Sequence, residues 1–178
     1  MVVIQIIGSP GSGKSWICNE VKNCIDTDDY FVKAYEMLQT NATDKRIAKL
    51  ATKLLKHDIK KFKNVVVVGH TLQVEKPTYV FFIKMTPKEL ELSYRRVIKR
   101  ELQKYVQLTT NQLLNKIDSI DPKKMQVWLY YTYFMGIDPL TLTFSKYKQK
   151  YKKLLKNNPD SIKMSQKDII KKIKTLII

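Results

Sequence analysis

Apolar residues in this chain form short continuous runs and longer stretches with helical spacing. Runs rich in β-branched or aromatic residues are typical of strands buried inside a parallel sheet. They occupy residues 2–7, 65–68 and 78–84. In the helical stretches, apolar residues recur every three or four positions, as in Ile47, Leu50, Leu54 and Ile59. The alternation of strands and helices predicts a parallel sheet with right-handed crossovers and helices on both faces.

The remaining elements follow from local signals. Residues 86–89 (TPKE) are a strong helix start, with Thr as N-cap, Pro first and Glu third. Residues 107–157 are predicted to be mostly helical, with breaks near Asp121-Pro122 and Asp138-Pro139. Further helices are predicted over about 14–23, 30–38, 43–62, 86–100 and 165–176, and strands at 24–26 and 161–164.

No internal repeat and no linker rich in Pro, Gly or Ser divides the chain. We therefore expect a single domain over residues 1–178, with residues 100–157 forming an enlarged helical lid. The predicted fold is a three-layer α/β fold with a parallel sheet of about five strands. Its ligand crevice should lie at the carboxyl ends of the strands.

The net charge of +17 makes nucleic acid a candidate partner. The four arginines are Arg46, Arg95, Arg96 and Arg100, and all other basic residues apart from histidine are lysines spread along the chain. A solvated lysine surface is therefore the alternative explanation, and the charge alone does not choose between the two.

The two cysteines, Cys18 and Cys24, lie six residues apart and match neither a zinc motif nor a disulfide framework. No apolar run approaches the length of a membrane span, and the opening strand leads directly into a glycine-rich segment. We therefore expect reduced thiols, no leader peptide and a cytoplasmic location.

The segment over residues 8–15 (GSPGSGKS) fits the phosphate-binding pattern G-x-x-x-x-G-K-[ST]. Glycines let backbone N–H groups converge on an anion, and the following helix N-terminus adds a favourable dipole. Lys14 is expected to reach the β- and γ-phosphates of ATP, and the Ser15 hydroxyl to bind Mg²⁺. The predicted nucleotide-binding residues are Gly8, Pro10, Gly11, Ser12, Gly13, Lys14, Ser15 and Trp16.

An acidic cluster follows the predicted second strand: residues 25–30 read IDTDDY. A carboxylate beside a phosphate site can accept the proton of an attacking hydroxyl, and a neighbouring one can help to hold magnesium. The cluster therefore offers candidates for a catalytic base and for a magnesium ligand. The alternative is an acidic helix N-terminus, although three aspartates in four residues exceed what one cap requires.

GSPGSGKS followed by IDTDDY resembles the P-loop small-molecule and polynucleotide kinases, among them shikimate kinase, gluconate kinase and polynucleotide 5′-kinases. In that group a D-x-D or D-D-Y element after strand two lies under the acceptor hydroxyl. Asp26 and Asp28 match D-x-D, and residues 28–30 match D-D-Y. The resemblance therefore implies Asp28 or Asp29 as the catalytic base and Asp26 as a metal and substrate ligand. The resemblance covers about the first thirty residues and implies a three-layer α/β P-loop NTPase fold of the kinase type. It also implies ATP, Mg²⁺ and phosphoryl transfer, without implying which acceptor is used.

The end of the third strand supports phosphoryl transfer over a motor ATPase. Motor ATPases usually carry a carboxylate there, whereas this strand ends Val68-Gly69-His70. Shikimate kinase-like enzymes also carry glycine at this point, by the same resemblance. His70 is a candidate substrate ligand, with a structural role as the alternative.

The scarce arginines indicate further site residues. Arg95, Arg96 and Arg100 fall on the helix after strand four, where kinases of this group carry lid arginines, and Arg grips phosphate bidentately. We assign Arg96 and Arg100 to catalysis and Arg95 to substrate binding, with a solvated basic face as the alternative. Arg46 falls where such kinases bind the acceptor and is a weaker substrate-binding candidate.

Two other patterns point elsewhere. Residues 115–118 spell N-K-x-D, a guanine-reading motif, and residues 165–167 could supply a second guanine contact, but the D-x-x-G of GTPases is missing after strand three. Aromatic residues crowd positions 128–134, where they could stack nucleic-acid bases, form a dimer surface or cover the core. The alternatives to a nucleoside, nucleotide or nucleic-acid kinase are a small-metabolite kinase and a nucleotide-binding switch or structural protein.

Overall fold

A computed structural model of the protein describes residues 1–38, 43–69, 74–106, 115, 117–125 and 143–177. Its strands are β1 (Val2–Ile7), β2 (Cys24–Asp26), β3 (Asn64–Gly69), β4 (Tyr79–Ile83) and β5 (Ile162–Met164). The helices bounded within these residues are α1 (Lys14–Glu20), α2 (Thr27–Leu38), α3 (Asp44–Ile59), α4 (Pro87–Val106), α5 (Phe144–Lys156) and α6 (Gln166–Leu176).

The five strands form one sheet in the order β2-β3-β1-β4-β5, and every pair is parallel. β1 is central: Ile4 lies opposite Val66 of β3 on one side and Tyr79 of β4 on the other. Because all strands point the same way, their carboxyl ends share one edge, where β1 enters the glycine-rich loop. This confirms the predicted parallel sheet of about five strands.

Helices cover both faces of the sheet because its central strands are apolar on both sides. On one face, Val3, Val65 and Val67 pack in a cluster with Ala51 and Leu55 of α3. The alternate residues of the same strands are also buried and point to the opposite face. There α1 lies against β2 and β3, and α6 lies against β4.

The chain forms two compact units. The first comprises Met1–Gly8, Gly13–Lys84 and Asn158–Ile178, and it contains the sheet with α1, α2, α3 and α6. The second comprises Ser9–Ser12 and Met85–Asn157, and it contains α4 and α5. The predicted lid, residues 100–157, falls within the second unit. The assignment of residues 1–178 to a single domain stays a prediction.

Helix starts agree with the capping signals. Thr86 and Glu89 form a reciprocal box, in which Thr86 N donates to Glu89 Oε2 at 2.7 Å and Glu89 N donates to Thr86 Oγ1 at 3.3 Å. Ser165 Oγ caps α6 by accepting from Asp168 N at 3.3 Å. Both predicted starts are confirmed.

Some predicted boundaries are wrong by several residues. α2 begins at Thr27 and not near residue 30, because Asp28 and Asp29 are favourable in a first helical turn. α1 ends at Glu20, α3 ends at Ile59, and α4 continues to Val106. Much of the predicted helical stretch 107–157, with Asp138-Pro139 and the aromatic residues 128–134, lies outside the described residues. Within the part of the chain that the structure describes, no helix is long and apolar enough to cross a bilayer.

The expectation of two reduced thiols is wrong for this structure. Cys18 of α1 and Cys24, the first residue of β2, form a disulfide with an S–S distance of 2.04 Å and a Cα–Cα distance of 5.1 Å. Spacing alone could not predict the pair, because it depends on where the chain turns back after α1. The bond joins the helix that carries Ser15 to the strand that carries Asp26.

We expect purified protein to show no thiol that can be alkylated under denaturing conditions until a reductant is added. Reduction should then lower the free energy of unfolding by about 2 kcal/mol, because the bond closes a short loop in the unfolded chain. Urea unfolding with and without reductant measures the difference. The double variant C18S/C24S is the control and should be insensitive to reductant. Two free thiols in protein purified under air would contradict this prediction.

Candidate phosphate-binding site

The glycine-rich loop joins the central strand to a helix, as the sequence predicts. β1 ends at Ile7 and α1 begins at Lys14. Gly11 (φ 74°) and Gly13 (φ 84°) both have left-handed backbone conformations, which side chains disfavour. Gly13 immediately precedes α1, so the N–H groups of the first helical turn face the loop. A strand, such a loop and a helix N-terminus in this order are the arrangement in which backbone N–H groups can bind an anion.

Within the first unit, Lys14, Ser15 and Asp26 come together. The Lys14 side chain is 7% exposed, and its Nζ donates to Gly8 O at 3.0 Å. Ser15 Oγ donates to Asp26 Oδ2 at 3.5 Å, and Asp28 N donates to Asp26 Oδ1 at 3.1 Å. A cation, a hydroxyl and a carboxylate therefore meet where β1 and β2 end.

The Asp26 carboxyl is half-buried, and burial raises its pKa above the ordinary value for aspartate. The backbone N–H of Asp28 and the Lys14 ammonium counter this shift, whereas the charges of Asp28 and Asp29 add to it. A carboxylate whose charge is poorly solvated gains more from a nearby cation than one in water does. Asp26 is thus suited to ligate a metal ion or to hold a proton.

The oxygen donors of Ser15 and Asp26 fit magnesium, which prefers hard oxygen ligands and keeps several waters when it binds beside phosphates. They would hold the ion between the loop and β2, where it would neutralise phosphate charge. Among the described residues, no group of three or more His, Cys, Asp or Glu side chains could hold a metal ion by itself. A two-ligand magnesium site does not need such a group, because phosphate oxygens and water complete the shell.

Within the second unit, the carbonyl of Pro10 is held by two buried side chains that the sequence analysis missed. Tyr147 OH donates to Pro10 O at 2.6 Å, and Ser93 Oγ donates to it at 3.1 Å. The two hydroxyls lie 2.6 Å apart, and Ser9 Oγ is 3.2 Å from Tyr147 OH. Burial raises the pKa of Tyr147 above the ordinary value for tyrosine.

We expect Tyr147→Phe to lower the free energy of unfolding by about 1–3 kcal/mol, because it removes a buried donor and leaves Pro10 O and Ser9 with fewer partners. Tyr35→Phe is the matched control, since Tyr35 is half-exposed on α2 and should tolerate the loss of its hydroxyl. Urea unfolding of both variants measures the difference. Equal stability of the two variants would show that the Tyr147 hydroxyl does not hold the loop.

The arginines of α4 differ sharply in their surroundings. Arg96 Nη1 donates to Gly11 O at 3.3 Å, and its side chain is exposed beside that loop residue. Arg95 is buried and donates to the carbonyls of Ile117 and Ile120 while pairing with Glu91. Arg100 is exposed, and its Nε lies 3.5 Å from Glu101 Oε1. Arg96 therefore contacts the loop, whereas Arg95 hydrogen-bonds to the backbone at Ile117 and Ile120.

Arg46 is separated from the acidic cluster by the length of α3. Tyr30 OH, near the start of α2, donates to Asp58 Oδ2, near the end of α3, at 2.8 Å. Arg46 precedes Asp58 by about 18 Å of helix axis at the α-helical rise. The structure therefore does not bring Arg46 to the aspartates at the start of α2. Its substrate-binding role stays a prediction.

The other predicted site residues lie as follows. Asp28 and Asp29 are exposed in the first turn of α2, and Trp16 is 42% exposed on α1. His70 lies outside the described residues. The Asp118 carboxylate of the N-K-x-D pattern pairs with Lys99 Nζ at 2.6 Å. The Gln166 side chain, from the other predicted guanine contact, packs so closely on Gly13 that a Cβ at position 13 would collide with it.

The end of β3 is also closely packed. Gly69 O accepts from Gly8 N at 3.3 Å, which joins the last residue of β3 to the first residue of the loop. Thr27, the buried first residue of α2, lies so close to Gly69 that any Cβ at position 69 would overlap its side chain. Packing against Thr27 therefore explains why position 69 is a glycine. From the sequence alone, this glycine is only a sign against a motor ATPase.

A parallel sheet in this order, with a G-x-x-x-x-G-K-S loop between its central strand and α1, is an α/β fold of the P-loop kinase type. Two solved structures are similar to this chain. One is deoxyadenosine kinase from M. mycoides, with the products dCMP and a flexible dCDP bound: 13% identity, 99% of this chain and 98% of that chain covered, TM-score 0.47. The other is shikimate kinase from Bacteroides thetaiotaomicron: 16% identity, 87% and 97% covered, TM-score 0.43.

No protein-family model and no curated protein matches the chain. The identities of 13% and 16% transfer neither a substrate nor site residues to this chain.

Proposed function

We propose that this protein is an ATP-dependent phosphotransferase that moves the γ-phosphoryl group to a nucleoside, a nucleotide or the 5′ end of a nucleic acid. The observation that carries the proposal is the convergence of Lys14, Ser15 and Asp26 at the end of the glycine-rich loop. A cation for phosphate oxygens and two oxygen ligands for magnesium are the groups that phosphoryl transfer requires.

Each group has a defined task. Backbone N–H groups of residues 8–15 and of the first turn of α1 bind the phosphates, and Lys14 neutralises their charge. Magnesium, when bound by Ser15 and Asp26, supplies charge neutralisation on the phosphates. Trp16, exposed on α1, is assigned to nucleotide binding.

The acceptor hydroxyl is assigned to the acidic start of α2. Asp28 or Asp29 accepts its proton, and both are exposed, so a substrate can reach them. Arg96 is the arginine assigned to the transferring phosphoryl group, because its guanidinium already contacts the loop at Gly11. Arg100 remains a second candidate for that task.

The test is a transfer screen with γ-labelled ATP and, separately, γ-labelled GTP. The acceptors are nucleosides, nucleoside monophosphates, oligonucleotides with a 5′-hydroxyl and small hydroxy acids. Label moving from ATP to a nucleoside, nucleotide or oligonucleotide supports the proposal, and label on a hydroxy acid would instead establish a metabolite kinase. GTP hydrolysis without an acceptor, or tight nucleotide binding without turnover, would overturn it in favour of a switch or a structural role.

A further inference from the structure

Helix α3 has a strongly basic outer face. Its core side is apolar, with Ala51, Leu55 and Ile59 buried. On the opposite side a cavity of about 870 Å³ lies along the helix, and none of the lining residues that the structure describes is acidic. We call this face the α3 groove. The cations that line it are Arg46, Lys49, Lys53, Lys56, His57 and Lys60.

The spacing of these cations makes a straight row. Arg46, Lys49, Lys53, Lys56 and Lys60 recur every three or four residues, so they follow one line along the helix over about 21 Å. Like charges at these spacings repel one another and disfavour the helix. An ordinary solvated helix face relieves that repulsion with intervening carboxylates, whereas the acidic residues of α3 are confined to Asp44 and Asp58 near its ends.

The lining of the groove is partly apolar, because it includes Leu38 and Leu50. Single-stranded nucleic acid matches both features: its phosphates suit a row of cations, and its bases have apolar faces. Lys56 Nζ pairs with Glu75 Oε1 at 2.6 Å, and both side chains are exposed. Because water and salt screen an exposed ion pair, a phosphate can replace Glu75 as the partner of Lys56.

We propose that the α3 groove binds the backbone of single-stranded nucleic acid. The groove lies in the first unit, on the side of α3 that faces away from the sheet. The proposal does not rest on phosphoryl transfer, since it requires only the charge and shape of α3. It also gives a location to part of the net charge of +17.

The test is the charge-reversal variant K49E/K53E/K60E, which changes three exposed lysines of the groove and leaves Arg46 unchanged. The matched control, K150E/K152E/K153E, changes three exposed lysines of α5 and lowers the net charge by the same amount. Circular dichroism and thermal unfolding of both variants verify folding. Binding of a fluorescent oligonucleotide of about 15 nucleotides is followed by anisotropy between about 50 and about 200 mM salt.

We expect the groove variant to bind the single strand at least about tenfold more weakly than the control variant at low salt. The slope of log K against log salt should also decrease in magnitude by about 2, since each phosphate contact on a single strand contributes about 0.7. Equal affinities of the two variants would overturn the proposal, because binding would then depend on the net charge of the protein and not on the position of the lysines. Tighter, groove-dependent binding of a duplex, or of phosphatidylserine vesicles, would also overturn it by assigning the surface to a different polyanion.

Discussion

Replacing Lys14 by alanine is expected to lower phosphoryl transfer by about 10²- to 10³-fold while the protein remains folded. Lys14 Nζ is held at the Gly8 carbonyl inside the loop, so the ammonium is already positioned before a nucleotide arrives. A positioned, desolvated cation stabilises the charge on transferring phosphate oxygens more than a mobile surface cation does. The measurement is transfer of γ-label from ATP to whichever acceptor the screen identifies, together with ATP affinity.

Lys22→Ala is the matched control for Lys14→Ala. Lys22 is an exposed lysine shortly after α1, and its removal changes the net charge equally without touching the loop. Thermal unfolding of both variants separates a loss of chemistry from a loss of folding. Undiminished turnover in Lys14→Ala would remove the basis for assigning residues 8–15 as the phosphate-binding loop.

Asp28→Asn is expected to lower kcat by about 10²- to 10⁴-fold, the range typical of a general base, with ATP affinity nearly unchanged. The exchange is isosteric, and the contact from Asp28 to Asp26 Oδ1 comes from the backbone N–H, so it survives the substitution. Asp29→Asn is the comparator, since Asp29 lies in the same exposed helical turn. The variant with the larger loss of kcat identifies the base.

Asp26 gives this experiment a second readout. The Asp28 charge helps to raise the pKa of Asp26, so Asp28→Asn should lower that pKa. Asp26 then stays ionised to a lower pH. The acid limb of the pH profile of magnesium-dependent activity should therefore move to lower pH. A selective loss of ATP binding in Asp28→Asn, with kcat unaffected, would instead make Asp28 a magnesium ligand.

The fold was predictable because its signals are local. Continuous apolar runs indicated β1, β3 and β4, and the Thr86–Glu89 box located the start of α4. The loop pattern at residues 8–15 fixed where a strand must end and a helix must begin. Each of these signals lies within a few residues of the structure that it specifies, so tertiary contacts were not needed to interpret it.

Support for the loop was not predictable, because it comes from residues far away in sequence. Ser93 and Tyr147 reach Pro10 from α4 and α5, and neither residue carries a motif. The same limit applied to Arg95 and Arg96. They are adjacent in sequence, yet a helix turns consecutive side chains about 100° apart, so one is buried among backbone carbonyls and the other reaches Gly11.

The contact between Gly69 and Thr27 limits how this protein could change its chemistry. For the proposed phosphotransferase, a carboxylate at the end of β3 would be the most direct substitution towards hydrolysis of the nucleotide by water. Any side chain at position 69 meets the buried Thr27 side chain at the start of α2, so that substitution also requires a change at Thr27 or a shift of α2. Since α2 begins with Asp28 and Asp29, the shift would displace the carboxylates assigned to the acceptor. At position 69, hydrolysis and the proposed transfer are therefore separated by a coupled change.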